Sequence, residues 1–407
     1  MLHQLKFKDI QVPVIFEENH DLPIFVLRLV FKNAGKAYEG DIDGLASMFA
    51  RLLNEGSDEN FFKELELRAI DFSANSGFES FELSISCLKE HAFFAVEKLS
   101  LLFEKVNFDE TLLARLKKIT LGELASKQSD FDFLAKNLLN ESVFETKEFR
   151  TSKYGDEQSL AKMSLKDLQD FYAKHLNLSE LIVCGGGDFD FAEFKALITP
   201  CLSKLKIAKL EKTKTFKLSK SLKDELLIKP ESQQAYIYFA SPIEFKFNDE
   251  DTHLTKLALF ILGAGGFGSR LMEEVRVKRG LAYSAYAMLE ANLSYQRVFG
   301  YLQTKNENAK DAKALVRELF AEFVKNGVSE DELTQARNFL LGSVPLRYES
   351  LEKRLDMALN EFYKGLELGH SLKELERIKK TSLSELNAYI KKHTELAQIS
   401  FASVQNK

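Results

Sequence analysis

The sequence predicts an α+β protein made of two related domains, and three observations carry that prediction. A stretch near the middle of the chain returns near its end, strand-like and helix-like segments interleave within each half, and 407 residues exceed what one ordinary hydrophobic core organises. The repeat is the sharpest of the three. Ser164-Leu165-Lys166-Asp167-Leu168 leads to Phe171, Lys174 and His175, and 218 residues later Ser382-Leu383-Ser384-Glu385-Leu386 leads to Tyr389, Lys392 and His393. A serine followed three residues on by an acid can cap a helix start, and apolar residues at helical spacing give that helix one buried face. A second pair agrees: Asp109, Glu110, Ala114 and Arg115 match Asp331, Glu332, Ala336 and Arg337 at an offset of 222. Two concordant offsets imply a duplicated unit of about 200 residues.

Taken in order, residues 12–17 and 24–31 are rich in Val, Ile, Leu and Phe and flank an Asn-His-Asp-Leu-Pro turn, which predicts a strand pair. Residues 43–54 predict a helix, and 78–87 alternate as a further strand. Helices follow over 108–127 and 164–175, then a short strand over 181–184 with Gly185-Gly186-Gly187 as its turn. Residues 204–220 are polar and lysine-rich, without helical periodicity and without Gly or Pro, so they read as a connector with room for a short strand. The expected division is therefore a domain over 1–207, a connector over 208–220 and a second domain over 221–407. In the second half, 234–240, 281–289 and 294–303 predict strands, and 268–278 and 329–341 predict helices. Strands joined by hairpin-length turns, with helices between them, imply a mainly antiparallel sheet in each half.

Composition excludes several classes. A net charge of -5 and a pI near 6.0 leave no basic stripe for nucleic acid. Apolar residues at 45% and charged residues at 29% fit a soluble globular protein, and no apolar run is long enough to span a bilayer. Residues 1–9 lack a basic segment followed by an apolar run, so no secretory leader is expected and the cytoplasm is the default compartment. Cys87, Cys184 and Cys201 are odd in number and widely spaced, which suggests neither a disulfide framework nor a cysteine metal site.

The order of segments resembles the insulinase/pitrilysin peptidases, in particular their processing-peptidase branch of half-length chains. VIFEENHDLPIFVLRLVFKNAG is similar to that family's first hairpin, and DGLASMFARLLNEGS stands where the family carries its H-x-x-E-H helix. FDETLLARLKKITLGELAS resembles the helix of the third zinc ligand, while KYGDEQSLAKMSLKDLQDFYAKHL and LIVCGGGDFD resemble the close of the first domain. LGAGGFGSRLMEEVRVKRGLAYSAY resembles the glycine-rich segment with its Arg and Tyr pair, and EDELTQARNFLLGS a late helix. The resemblance implies a sheet of about six strands backed by helices in each half. It further implies a clam shell of two halves, a chamber for unfolded peptide between two chains, and zinc-dependent peptide hydrolysis as the family's reaction.

Zinc chemistry needs two imidazoles at i and i+4 on one helix face, a glutamate in the same turn to take a proton from bound water, and at least a third ligand. Aligned on Gly44-Leu45-Ala46, those positions hold Ser47, Ala50 and Arg51. Both imidazoles and the base are gone, and Arg51 puts a permanent cation where the family puts the metal. The third position stays acidic as Glu123, and its companion one heptad earlier is Leu116. The remaining histidines show no H-x-x-x-H pair and read as surface or capping residues. Leu45, Met48, Phe49, Leu52 and Leu53 meanwhile form an ordinary buried stripe. The segment is expected to pack, to bind no zinc, and to join Arg51 to Glu123 by a salt bridge in the former metal position.

In the second half, Arg276 and Tyr283 keep the family's spacing around a helix stop at Gly280. The resemblance assigns such a pair to the substrate backbone near the scissile bond, and the glycines Gly263, Gly265, Gly266 and Gly268 to the substrate-facing segment before it. A guanidinium fork and a phenol are suited to a carbonyl oxygen that gains charge. On spacing alone, a solvated basic helix end formed by Arg276, Lys278 and Arg279 is the plainer reading. The glycine stretch lacks the Gly-Lys-Ser/Thr ending of a nucleotide loop. Residues 72–87 hold the place of the family's peptide-accepting edge strand, with Ser73 where an Asn is usual.

The resemblance therefore implies a non-catalytic subunit without a cofactor of its own. It would pair with a homologous zinc-bearing subunit and present unfolded peptide to that partner, and the sequence leaves open a homodimer when the partner is missing. An independently active zinc peptidase and an inactive peptide-holding scaffold are the competing readings.

Overall fold

In the computed structural model, which describes residues 1–407, the first half lays down β1 (Leu2–Phe7), β2 (Ile10–Glu18), β3 (Ile24–Lys32), β4 (Asp71–Ser76), β5 (Ser80–Leu88) and β6 (Leu181–Gly187). They form one sheet in the order β1-β2-β6-β3-β5-β4, antiparallel throughout except for the parallel pair β2/β6. The second half contributes β7 (Asp224–Ile228), β8 (Ala235–Ser241), β9 (Ala282–Ala291), β10 (Gln296–Thr304) and β11 (Ser400–Gln405), ordered β7-β11-β8-β10-β9 with β7/β11 as the parallel pair. Without β1 the first order superposes on the second, strand for strand. The duplication written in the sequence is thus a duplication of topology, in sheets of six and five strands.

The helices begin where local chemistry says they should. Ser164 and Ser382 each accept a hydrogen bond from the backbone N–H three residues on, and Asp167 and Glu385 answer the cap backbone, so both repeat copies start with a complete capping box. Ser329 and Glu332 do the same for the helix Glu330–Ser343. These boxes satisfy donors that a helix start otherwise leaves bare.

Contacts divide the chain into two compact units. The first comprises Met1–Ala125, Thr151–Lys214 and Tyr348–Leu359; the second comprises Ser126–Arg150, Thr215–Arg347 and Asn360–Lys407. The join between 214 and 215 falls inside the lysine-rich connector, but each unit also takes a helical segment from the other half. The helix Phe131–Val143 packs on β8 and β11 of the second sheet. In the first unit, Arg354 donates to Glu17, Asp356 pairs with Arg28, and the Cys184 thiol donates to the Leu355 carbonyl.

Three expectations are corrected. Gly185-Gly186-Gly187 is not a turn but the fully buried second half of β6. A side chain there would collide with its neighbours: a Cβ on Gly185 would lie 2.5 Å from the Val26 carbonyl oxygen, and one on Gly186 2.1 Å from that of Glu17. Residues 208–220 carry no strand; Lys206 alone makes an isolated bridge, to Asn177. His175 and His253 are buried rather than on the surface, while His393, also buried, is the C-cap of its helix as the capping reading allowed. His175 packs on Phe171 at 4.7 Å between ring centroids, and burial lowers its pKa to about 4, so it is neutral in the fold.

Candidate functional site

The first unit's candidate site lies on the helix Leu45–Leu53. Its N-cap, Gly44, adopts φ +86° with the Tyr154 carbonyl oxygen 2.5 Å from where a Cβ would stand, so only glycine fits. Glu39 secures the helix start. Its two carboxylate oxygens accept from the Gly44 and Ala46 N–H groups, each at 2.9 Å, and burial pushes its pKa up to about 8. Glu361 repeats the device in the second unit, accepting from Gly369 at 2.6 Å and Ser371 at 2.7 Å. Sequence reading missed both acids, because a buried cap five to eight residues away in the chain leaves no local periodic mark.

Ser47 and Ala50 are buried in the helix packing. Arg51 extends from the same helix to Glu123 on Glu110–Lys127, donating through Nη1 at 3.0 Å and through Nη2 at 2.5 Å. The Glu123 hydrogen bonds raise the Arg51 pKa further above its ordinary value. The guanidinium also lies 5.3 Å from the Tyr154 ring centroid. Leu116, where a second acid is expected, is buried. These residues do not fit a zinc ion: one carboxylate is already saturated by a cation, and no group of three or more His, Cys, Asp or Glu side chains is arranged to hold a metal. The residue just past this helix, Asn54, bonds both backbone groups of Ala74 in β4, at 2.8 and 2.9 Å.

In the second unit the predicted pair meets. Arg276 lies on the π-helical segment Met272–Lys278, and Tyr283 on β9 after the turn at Gly280 (φ +59°). The guanidinium carbon stands 4.5 Å from the Tyr283 ring centroid and 4.7 Å from that of Phe267. Arg276 is therefore clasped between two rings, both largely exposed, Tyr283 at 79% and Phe267 at 66%. Its basic neighbours differ: Lys278 and Arg279 both pair with Glu274, and Arg270 with Glu332. No carboxylate engages the Arg276 guanidinium. Lys278 and Arg279 thus form a paired basic helix end, and Arg276 stands apart from them between the two rings. Phe267 was missed in the sequence, although an aromatic set among Gly265, Gly266 and Gly268 was its signal.

The four glycines divide. Gly263 is buried in the π-helical turn Phe260–Ala264, where a Cβ would lie 2.5 Å from the Ala287 amide nitrogen of β9, so it serves close packing. Gly265 is held against Phe260, while Gly266 (φ +59°) and Gly268 are exposed on either side of Phe267. Only the last two flank the ring that lies against Arg276. Two π-helical stretches in one segment are unusual, and such windings are frequent at functional sites.

Known proteins resemble this chain along its whole length. A family profile described as "Peptidase M16 inactive domain" matches residues 162–340. The chain is 37% identical to the "Non-peptidase homolog YmxG" of Helicobacter pylori, over 100% of this chain and 94% of that protein. It is 22% identical to the "Uncharacterized zinc protease YmxG" of Bacillus subtilis, over 84% of each. Among solved structures, the peptidase M16 inactive domain from Pseudomonas fluorescens superposes with a TM-score of 0.88 at 25% identity, covering 100% of this chain and 98% of that one. A protease from Helicobacter pylori superposes with a TM-score of 0.84 at 16% identity, covering 100% and 99%.

Proposed function

The chain belongs to the peptidase M16 family, and from that membership we propose that it is a non-catalytic subunit serving a zinc-bearing relative. It contributes Arg276 and Tyr283 to peptide that the partner cleaves. The observation that carries this reading is the state of Arg276. It is the basic group of its segment without a carboxylate partner, and two exposed rings hold its planar fork in place. A fork held without a counter-ion is prepared for an oxygen that arrives from outside, such as a peptide carbonyl or carboxylate. Tyr283 adds a hydroxyl on the same exposed surface. The first unit supports the non-catalytic half of the proposal, since Arg51 and Glu123 neutralise each other where the family's metal residues align.

We place the partnership and any cytoplasmic location on the same footing, as parts of this proposal; no helix is long and apolar enough to cross a membrane. The test is reconstitution. The chain is co-expressed with a homologous H-x-x-E-H subunit, and cleavage of an unstructured peptide is followed. Arg276→Ala and Tyr283→Phe are each expected to lower kcat/KM by about a hundredfold while assembly persists. Full activity in both variants would move the chain to the scaffold reading, and chelator-sensitive cleavage by the chain alone would return it to the independent enzymes.

A further inference from the structure

We propose that the Asn54 carboxamide closes the β4 edge of the first unit to added peptide strands, acting as a built-in substitute for one. β4 is the last strand of its sheet, bonded to β5 alone. In an antiparallel pair, alternate residues turn their N–H and C=O groups away from the neighbour. Ala74 is such a residue, and both of its outward groups are taken: its N–H donates to Asn54 Oδ1 at 2.8 Å, and Asn54 Nδ2 donates to its carbonyl at 2.9 Å. A carboxamide offers one donor and one acceptor side by side, as the peptide group of an incoming strand does. Asn54 therefore satisfies the middle of the edge in the way a bound peptide would.

The position of Asn54 makes this a fixed feature. It is the C-cap of Leu45–Leu53, its own N–H is bonded to the Ala50 carbonyl, and that helix packs against β4. Apart from the charge of Asp71 at its first position, β4 lacks other means of edge protection. The strand has no proline, no lysine and no bulge, its register with β5 is unbroken from Asp71 to Ser76, and Ser73, Ala74 and Ser76 are small. Ser73 turns to Ser84 at 2.8 Å, and Asn75 turns to Ser73 at 3.1 Å, so neither reaches outward. Remove Asn54, and what remains is an edge of unbroken register with Phe72, Ala74 and Ser76 in line to receive a strand. The second unit shows how different the arrangement can be: there the outward Ala285 N–H meets only the Met272 sulfur, a weak acceptor, at 3.4 Å. The inference does not rest on the roles proposed for Arg276 and Tyr283.

The test uses the full-length chain and its Asn54→Ala and Asn54→Asp variants. The probe is a fluorescein-labelled peptide of alternating Val and Thr flanked by lysines, followed by anisotropy. Asn54→Ala releases both groups and should tighten binding at least about tenfold, and Asn54→Asp, whose carboxylate still accepts from the Ala74 N–H and frees the carbonyl alone, should tighten it less. Bound peptide should slow amide exchange at residues 72–76. Equal affinity for all three proteins, or protection that falls elsewhere, overturns the proposal. The wild-type chain supplies a check that does not depend on the variants folding. Its Ala74 amide should exchange slowly without peptide, and exchange at the rate of an open loop would show that the closure does not exist.

Discussion

The two units set a helix beside the edge of a twisted sheet and then use that arrangement differently. In the first, the polar groups at this place find partners within the unit: Arg51 is joined to Glu123, and Asn54 to both backbone groups of Ala74. In the second, the corresponding strand β9 is flanked by π-helical turns, its Ala285 N–H is met by a thioether, and Arg276 lies between Phe267 and Tyr283 without a counter-ion. One place is saturated, and in the other a guanidinium is left without a carboxylate partner. A duplicated fold lets the copies diverge in this way, because the sheet and its capped helices supply stability in each unit independently of what the edge carries. The difference also explains why one substitution pattern, the loss of the zinc motif, leaves the rest of the molecule intact: Ser47 and Ala50 pack, and Arg51 brings its own partner.

The largest expected effect contrasts the parallel strand pairs. β6 needs glycine where β2 and β3 approach, whereas its counterpart β11 carries Ser403, Val404 and Gln405 at the matching ladder positions. Gly186→Ala sets a methyl group against the Glu17 carbonyl, a backbone atom that cannot yield without breaking the β2/β6 ladder. It should lower stability by about 3 kcal/mol or more in chemical denaturation, against about 1 kcal/mol for Ala402→Gly. Similar losses from the two substitutions would mean that the strands are packed alike.

A second contrast concerns the histidines that end the repeated helices. His175 is buried and neutral, with a pKa of about 4 in the fold against 6.5 in a free chain. The unfolded chain therefore binds the extra proton first. The stability this histidine preserves is intact above about pH 6.5 and is lost progressively as the pH falls towards 4, by about 3 kcal/mol in all. His175→Phe should flatten the pH dependence across that window in urea titrations. His393 instead bonds a carboxylate, Glu395, at 2.6 Å. A wild-type profile that is flat over the window would sink the assignment.

Much of this was legible in the chain because it is local. A serine three residues before an acid specifies a capping box in every copy, and the Arg276 to Tyr283 spacing across a glycine stop brings the two together. The features that were not legible depend on what lies opposite. Gly185 to Gly187 read as a turn because glycine usually interrupts strands, and only the crowding of β2 and β3 makes it the fitting residue within one. Amphipathic spacing shows that Phe131–Val143 has an apolar face but not which sheet that face meets, so its membership of the second unit was hidden. Glu39, Glu361 and Asn54 act by bonding backbone groups across loops, which no residue pattern announces.

The smallest effect expected is the most direct probe of the saturated place. Arg51 and Glu123 form a bidentate pair, yet Glu123 is nearly half exposed, so solvent screens much of their attraction. A double-mutant cycle through Arg51→Ala and Glu123→Ala should give a coupling of about 0.5 kcal/mol, shrinking as salt is added. Addition of zinc or of a chelator should leave the melting temperature of the wild-type chain unchanged, since its two imidazole positions hold a serine and a cation and its base position a methyl. A coupling several times larger would place the pair in a drier setting than its exposure indicates. A rise in melting temperature with zinc would overturn the contrast itself, because the first unit would then have a ligand to bind rather than a vestige to keep closed.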